Sequence, residues 1–515
     1  MHPISGSPFL RALVIVVPGL LVAIYLASQI GNGDIPVAVY FLIGVAVLLV
    51  LKFSTKYVRL EGLILGILLF GYIVGQSGFG HFSLSPRKGI YLGEIGLVVC
   101  FVAMASRIAF TREKIIPKQP LAWAIFTLIA IGTFRFIYDV RHSNNQIEVV
   151  RDFATIYYAV FFFVAFNICR HAGSRLFLQR AITAALICDF FVSSILFSVP
   201  SLPLYFLVHG RPFIEPRADL TGSFMGLATI LFYLNGQTKG HSVRWTLLSF
   251  AAFIALLLPL SRATFLGFAA ALIILMLSGQ GKFLLRVAIF CVVGIMVLTP
   301  VVFAVTKTGE ETYATRLRDK ILAIVEPFGS KRTFASTVGD DAAGNNKFRF
   351  AWWTSVIDET NDKSPLVGLG FGYDLAKRFL VSYNALNPYE FDTRSPHSIL
   401  LTIYGRMGIV GILSFFLVIF CIAKSALRCA AAIRSRKTSP LDIALWCGSI
   451  AILVTSCFGV MLEGPMAAIV FWSLLGMASY REWERLNPAP SSATQKISRG
   501  PLMRPAPSPV TSRIA

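Results

Sequence analysis

His397 is the residue of this 515-residue chain best placed to accept a proton. It follows Ser395 and Pro396, which read as a helix start, with Ser as N-cap and Pro at the first helical position. That puts His397 at the second position, at the positive end of the helix dipole. The dipole favours a neutral imidazole and makes the helix mouth an anion site. At about 100° per residue, His397, Leu401, Tyr404, Gly408 and Gly411 share one face of that helix. A histidine there would equally serve to anchor the helix at a membrane interface.

Three arginines offer the complementary chemistry. Arg217 lies in the polar segment 200–219, Arg262 follows the turn Leu258 to Ser261, and Arg349 lies in the long polar stretch 306–396. Guanidinium forks suit phosphate, and fixed positive charges stabilise the negative charge that develops on a departing diphosphate. Asp219, Asp358 and Glu359 are alternative, purely structural partners for them. Arg406 and Asp189 fall within apolar runs, where an ionised group is costly. Asp189 or Glu463 is the expected partner of Arg406, and Asp189 is either a functional residue or half of a buried ion pair. Gly368, Gly370 and Gly372 lack the GxGxxG spacing of a dinucleotide fingerprint and read as turns close to the membrane.

The elements that must position these residues are membrane helices. The chain is 56% hydrophobic and only 14% charged, against about 25% charged in soluble domains, which excludes a soluble enzyme. Apolar runs near the roughly 20 residues needed to cross a bilayer recur near 10–29, 35–51, 59–77, 90–108, 119–138, 153–169, 181–199, 220–235, 244–260, 263–278, 283–305, 397–423, 441–461 and 464–480. The expectation is an all-α polytopic membrane protein with about 14 transmembrane helices (range 12–14) and a large periplasmic loop. The first run has no small-residue cleavage pattern and reads as a retained signal anchor.

With the N-terminus inside, the short inner loops collect the basic residues, among them Arg112, Lys114, Arg170, Arg175, Arg434 and Arg436. The formal charge of +21 is then a topology signal facing anionic lipid, and no basic face remains for nucleic acid. Both termini are expected in the cytoplasm. Arg262, in an outer turn, runs against this tendency and wants a reason. None of the eight cysteines falls in an outer segment, and their spacings offer no metal site. The expected divisions are N-terminal transmembrane helices over 1–209, transmembrane helices with the Arg217 and Arg262 segments over 210–305, a periplasmic loop over 306–396, C-terminal transmembrane helices over 397–486 and a disordered cytoplasmic tail over 487–515. Within the loop, Tyr313 to Val325 is amphipathic and suits either the membrane interface or a solvated helix over the bundle.

His397-Ser398, nine residues, Gly408, two residues and Gly411 is similar to the signature of the O-antigen ligase and Wzy-type polymerase superfamily. Leu260 to Ala263 resembles that family's Ser-Arg turn. Arg349 to Trp353 with Pro365 to Gly370 resembles its Arg…Trp…Pro-Leu-x-Gly-x-Gly segment, and Arg217 to Gly222 resembles its Arg-x-x-G stretch. Glu463, Gly464 and Pro465, followed by Phe471 and Trp472, fit as well. Arg406 departs from the pattern, standing where many members have an acidic residue.

The resemblance implies a GT-C-like glycosyltransferase of the bacterial inner membrane, using no cofactor, metal or nucleotide. It would take a glycan from undecaprenyl diphosphate at the periplasmic face. His397 would be the base that activates the acceptor hydroxyl, and Arg262 and Arg349, with Arg217 as a helper, would hold the diphosphate. The acceptor is lipid A core in a ligase and a second carrier-linked glycan in a polymerase of O-antigen or exopolysaccharide repeats. Both remain open at this point. A polysaccharide transporter or flippase is the rival class, although the halves of the chain lack the internal symmetry common in transporters.

Overall fold

The computed structural model describes residues 58–81, 83–85, 90–111, 117–143, 145–198, 207–208, 211–238, 243–305, 319, 337–384 and 394–488. The crossings expected near 10–29 and 35–51, the amphipathic stretch from Tyr313 (apart from Asp319) and nearly all of the proline-rich tail lie outside these residues.

The described chain is helical, apart from two short antiparallel ribbons pairing Ser83–Ser85 with Ile90–Tyr91 and Leu207–Val208 with Arg211–Pro212. In chain order the helices are α1 (Leu60–Val74), α2 (Gln76–Gly80), α3 (Leu92–Thr111), α4 (Pro120–His142), α5 (Gln146–Tyr157), α6 (Val160–Cys169), α7 (Ala172–Ser198) and α8 (Ala218–Thr238). They continue with α9 (Val243–Leu257), α10 (Arg262–Leu277), α11 (Lys282–Val305), α12 (Thr337–Lys363), α13 (Lys377–Asn384), α14 (Ile399–Arg434), α15 (Asp442–Ser456) and α16 (Pro465–Leu486).

Among the described residues three helices are long and apolar enough to cross a membrane, Pro120–His142, Ala172–Phe197 and Ile399–Arg434. The run expected as one crossing at 153–169 is instead split between α5 and α6, which are bent by 40°. Counted as one span, that pair makes a fourth. The split falls at Tyr158 and Ala159, where the Tyr158 hydroxyl reaches Glu94 at 2.5 Å and the α5 hydrogen-bond ladder gives way to shorter turns.

One apolar core runs through the bundle and includes the fully buried Trp446, Trp472, Phe161, Phe166 and Phe224. A second, smaller core of Trp352, Val356, Leu375, Ala376 and Phe379 holds α12 and α13 together. Lipid is the natural solvent for the rows of exposed apolar side chains, such as Trp123, Phe126 and Phe134 on α4 and Leu413, Phe416 and Phe420 on α14.

α14 is not continuous. At Gly408 the backbone takes φ 62° and ψ −156°, a conformation essentially restricted to glycine. Segment 364–372 docks into this break through its main chain. Leu369 N donates to Gly405 O at 2.7 Å and Gly370 N to Arg406 O at 3.2 Å. In return Ile409 N donates to Pro365 O at 2.9 Å and Val410 N to Leu366 O at 3.1 Å. The helix groups freed by the break thus find partners within the protein, the condition for irregular backbone at membrane depth. Gly368, Gly370 and Gly372 all have positive φ, as turn glycines should.

Candidate active site

His397, Arg217, Arg262 and Arg349 line one cavity of about 520 Å³. Five separate pieces of chain supply its wall. Arg217 immediately precedes α8, whose first turn opens with Thr221 N donating to Arg217 O at 2.9 Å. Arg262 is the first residue of α10, behind Ser261 in extended conformation and Leu260 at φ 50°. Arg349 lies on α12, His397 on the turn before α14, and Phe458 to Val460 on the turn between α15 and α16.

The helix expected to begin at Pro396 begins three residues later, at Ile399, with Ser398 at the cap position. His397 therefore belongs to the preceding turn, at φ 56°, and does not share a helical face with Leu401, Tyr404, Gly408 and Gly411. Local side-chain bonding competes with the helix here. Ser395 Oγ accepts from His397 N at 3.3 Å, and the ring nitrogen Nδ1 lies 2.9 Å from Ser395 O. A carbonyl can only accept, so Nδ1 carries the hydrogen and Nε2 is left with the lone pair. The turn is held by Trp353 Nε1 donating to Pro396 O at 2.7 Å, and the imidazole packs edge-on against the buried Trp352, ring centres 5.6 Å apart. Burial, and then the nearby Arg349 charge, hold the His397 pKa below its ordinary value. Desolvation and a neighbouring cation thus both favour the neutral ring.

The arginines are anchored and yet underused. Arg262 Nη1 donates to Asn346 Oδ1 at 2.9 Å, and Arg349 Nη1 to Phe458 O at 2.6 Å. Arg217 Nη2 pairs with Asp219 Oδ2 at 3.1 Å. Among the described residues, the remaining N–H groups of Arg262 and Arg349 have no acceptor, and these two cations are close enough to repel one another. Three guanidinium groups against the single carboxylate Asp219 leave the cavity positive. Such a surplus suits an anion with several oxygens.

Gln76, which no motif signals, positions Arg217. Its Oε1 accepts from Arg217 N at 2.8 Å, while its Nε2 donates to Asp189 Oδ1 at 3.0 Å and to Thr221 Oγ1 at 2.8 Å. Asp189 also accepts from Ser193 Oγ at 2.6 Å, so it supports this hub and does not meet Arg406. The partner of Arg406 is Asp152, at 2.5 Å, in place of the expected Asp189 or Glu463. Asp152 stands at the head of an apolar run whose helix starts earlier than hydropathy suggested, which is why sequence did not single it out. Glu463 instead accepts from Thr402 Oγ1 at 2.8 Å, joining the α15–α16 turn to the first turn of α14 beside His397. Burial raises the Glu463 pKa, against the hydrogen bonds from Ser395 and Thr402 that lower it.

Asn346, Trp353 and Phe458 complete the wall. Trp353 lay within a segment already singled out, but nothing in the spacing of Asn346 or Phe458 marks them. Among the described residues no cluster of His, Cys, Asp and Glu side chains is arranged to hold a metal ion. All eight cysteines are free thiols.

No curated protein matches the chain. Residues 247–416 match the family model described as O-antigen ligase, a stretch that contains Arg262, Arg349 and His397 and stops short of Arg217.

Proposed function

We propose, from the match of residues 247–416 to the family model described as O-antigen ligase, that the chain is a membrane glycosyltransferase that moves a glycan from undecaprenyl diphosphate to an acceptor hydroxyl on lipid A core, at the periplasmic face of the inner membrane. The observation that carries this reading is the meeting of one imidazole and three guanidinium groups on a single cavity wall.

In the proposed reaction Nε2 of His397 takes the proton of the acceptor hydroxyl. The acceptor oxygen bonds to the anomeric carbon, the bond from that carbon to the diphosphate oxygen breaks, and its electron pair leaves with the undecaprenyl diphosphate. Arg262 and Arg349, with Arg217 beside them, stabilise that departing charge through N–H groups fixed before the reaction begins. About 14 crossings in a GT-C-like arrangement, cytoplasmic termini and a periplasmic 306–396 segment belong to the same proposal. So do the divisions at 209, 305, 396 and 486.

The test uses the purified full-length chain, a lipid-linked oligosaccharide and defined acceptors. His397→Gln and Arg262→Gln are expected to lower turnover by about 100-fold or more, in keeping with general-base and oxyanion contributions. Turnover that survives both substitutions at near wild-type rates overturns the proposal. Product linked to lipid A core identifies the ligase, whereas lengthening of carrier-linked chains identifies the polymerase.

A further inference from the structure

A second cavity, of about 740 Å³, opens where segment 363–373 meets α4 and the break in α14. Its polar end is built from Arg135, Tyr138, Lys363 and Tyr373, and its apolar side from residues that include Phe134, Val367 and Val410.

The polar end has more donors than the protein uses. Arg135 has five N–H groups, of which Nε donates to Asp139 Oδ2 at 3.0 Å. Among the described residues its two terminal amino groups meet no acceptor, although the side chain is only 16% exposed. Glycine at 370, with φ 97°, leaves room for one of them, since a Cβ there would press on Nη2. Lys363 Nζ donates to Glu359 Oε1 and to Tyr373 Oη, each at 2.7 Å, and keeps one donor in hand. The carboxylates beside these cations are turned toward the fold. Asp139 also accepts from Phe371 N at 2.7 Å, and Glu359 from Tyr373 Oη at 2.6 Å. Arg135 and Lys363 both line the cavity, each also lying over a tyrosine ring, Tyr138 at 5.5 Å and Tyr373 at 5.1 Å.

The apolar side faces the solvent of the bundle. Phe134 is 76% exposed, Val367 49% and Val410 42%, in line with the other exposed apolar residues of α4 and α14. A soluble anion would satisfy the donors and leave this wall bare. A molecule with an anionic head and hydrocarbon chains covers both.

We propose that this cavity binds an anionic membrane phospholipid, its phosphate on Arg135 and Lys363 and an acyl chain along Phe134, Val367 and Val410. α12 joins the two cavities, carrying Arg349 and Trp353 at the first and Lys363 at the second. The lipid would secure segment 364–372 in the α14 break from its membrane side. Lipid binding at this second cavity does not depend on the transfer reaction at the first.

The full-length protein, purified in mild detergent and delipidated, is offered equal amounts of phosphatidylglycerol and phosphatidylcholine, and retained lipid is counted by native mass spectrometry. Phosphatidylglycerol is expected to be retained preferentially, with about tenfold weaker retention after Arg135→Gln combined with Lys363→Gln, which removes two charge-assisted contacts. Should loss of the Asp139 partner unfold that variant, Val410→Trp fills the groove and leaves every charge in place, and the same weakening is expected. Equal retention of phosphatidylcholine overturns the proposal. So does undiminished phosphatidylglycerol binding by Val410→Trp, or complete displacement of phosphatidylglycerol by undecaprenyl phosphate, which would make the carrier the occupant.

Discussion

At the scale of the residue, His397 is set up by two neighbours that act on different properties. Ser395 O fixes the tautomer, leaving Nε2 as the basic atom, and burial with Arg349 lowers the affinity of that atom for a proton. A base must be unprotonated to work, so a lowered pKa extends activity toward acid. The acid limb of the kcat/KM profile is expected below the ordinary histidine value of about 6.5. Replacing Arg349 with Gln removes one cause of the depression, and the limb should move up toward that value while the height of the profile falls. A limb that stays in place after the substitution assigns the titration to another group. The residue types and their order were legible in the sequence, because proton acceptance and phosphate recognition need particular side chains. The Ser395 carbonyl, the Asn346 amide and the Gln76 hub were not legible. They act through geometry that folding alone creates and belong to residue types found everywhere.

At the scale of the element, the glycine spacing after His397 acquires a physical reason. A Cβ on Gly408 would run into Leu366 C and O, and one on Gly368 into the backbone of Arg406 to Gly408, so the two glycines make room for each other. Gly405 is different, since a Cβ there would meet the end of the Leu375 side chain at 2.8 Å. Gly408→Ala is expected to cost about 3 kcal/mol or more, from the disallowed backbone and the collision together, and Gly405→Ala about 1 kcal/mol. Thermal unfolding midpoints in detergent would rank the two, and equal midpoints would remove the account of the break. Hydropathy revealed that residues near 397–423 form a long helix. It carried no trace of the interruption, because a break satisfied by another segment leaves the apolar pattern unchanged.

At the scale of the whole molecule, a polar network ties together parts that sequence left unconnected. Asp152 Oδ2 accepts from Gly372 N at 2.8 Å, Arg406 Nη1 at 2.5 Å and Arg394 Nη2 at 3.5 Å, while Arg394 also reaches Glu148 at 3.1 Å. One carboxylate on α5 thereby holds the glycine segment, α14 and the strand of chain leading to His397. Arg406 is only 4% exposed, so Asp152→Ala strips a buried cation of its partner and is expected to destabilise by about 3–5 kcal/mol. Asp152→Leu with Arg406→Met should recover much of that loss, since an apolar pair can replace a buried ionic one. A double variant no more stable than Asp152→Ala would show that Gly372 and Arg394, and not Arg406, are what Asp152 chiefly serves. Composition was enough to read a helical membrane protein. Pairing between distant charges stayed hidden, because several carboxylates were available to Arg406 and only packing chooses among them.

The exchange of main-chain bonds between 364–372 and α14 also sets an order for biogenesis. A ribosome delivers Pro365 and Leu366 before Ile409 and Val410, so for that interval the early carbonyls lack the amide donors they have in the folded chain. The wall at Phe458 to Val460 arrives later still. Nascent protein halted before residue 409 holds Arg217, Arg262, Arg349 and His397 yet lacks part of the wall that gathers them, and the centre is complete only once the turn between α15 and α16 has been made.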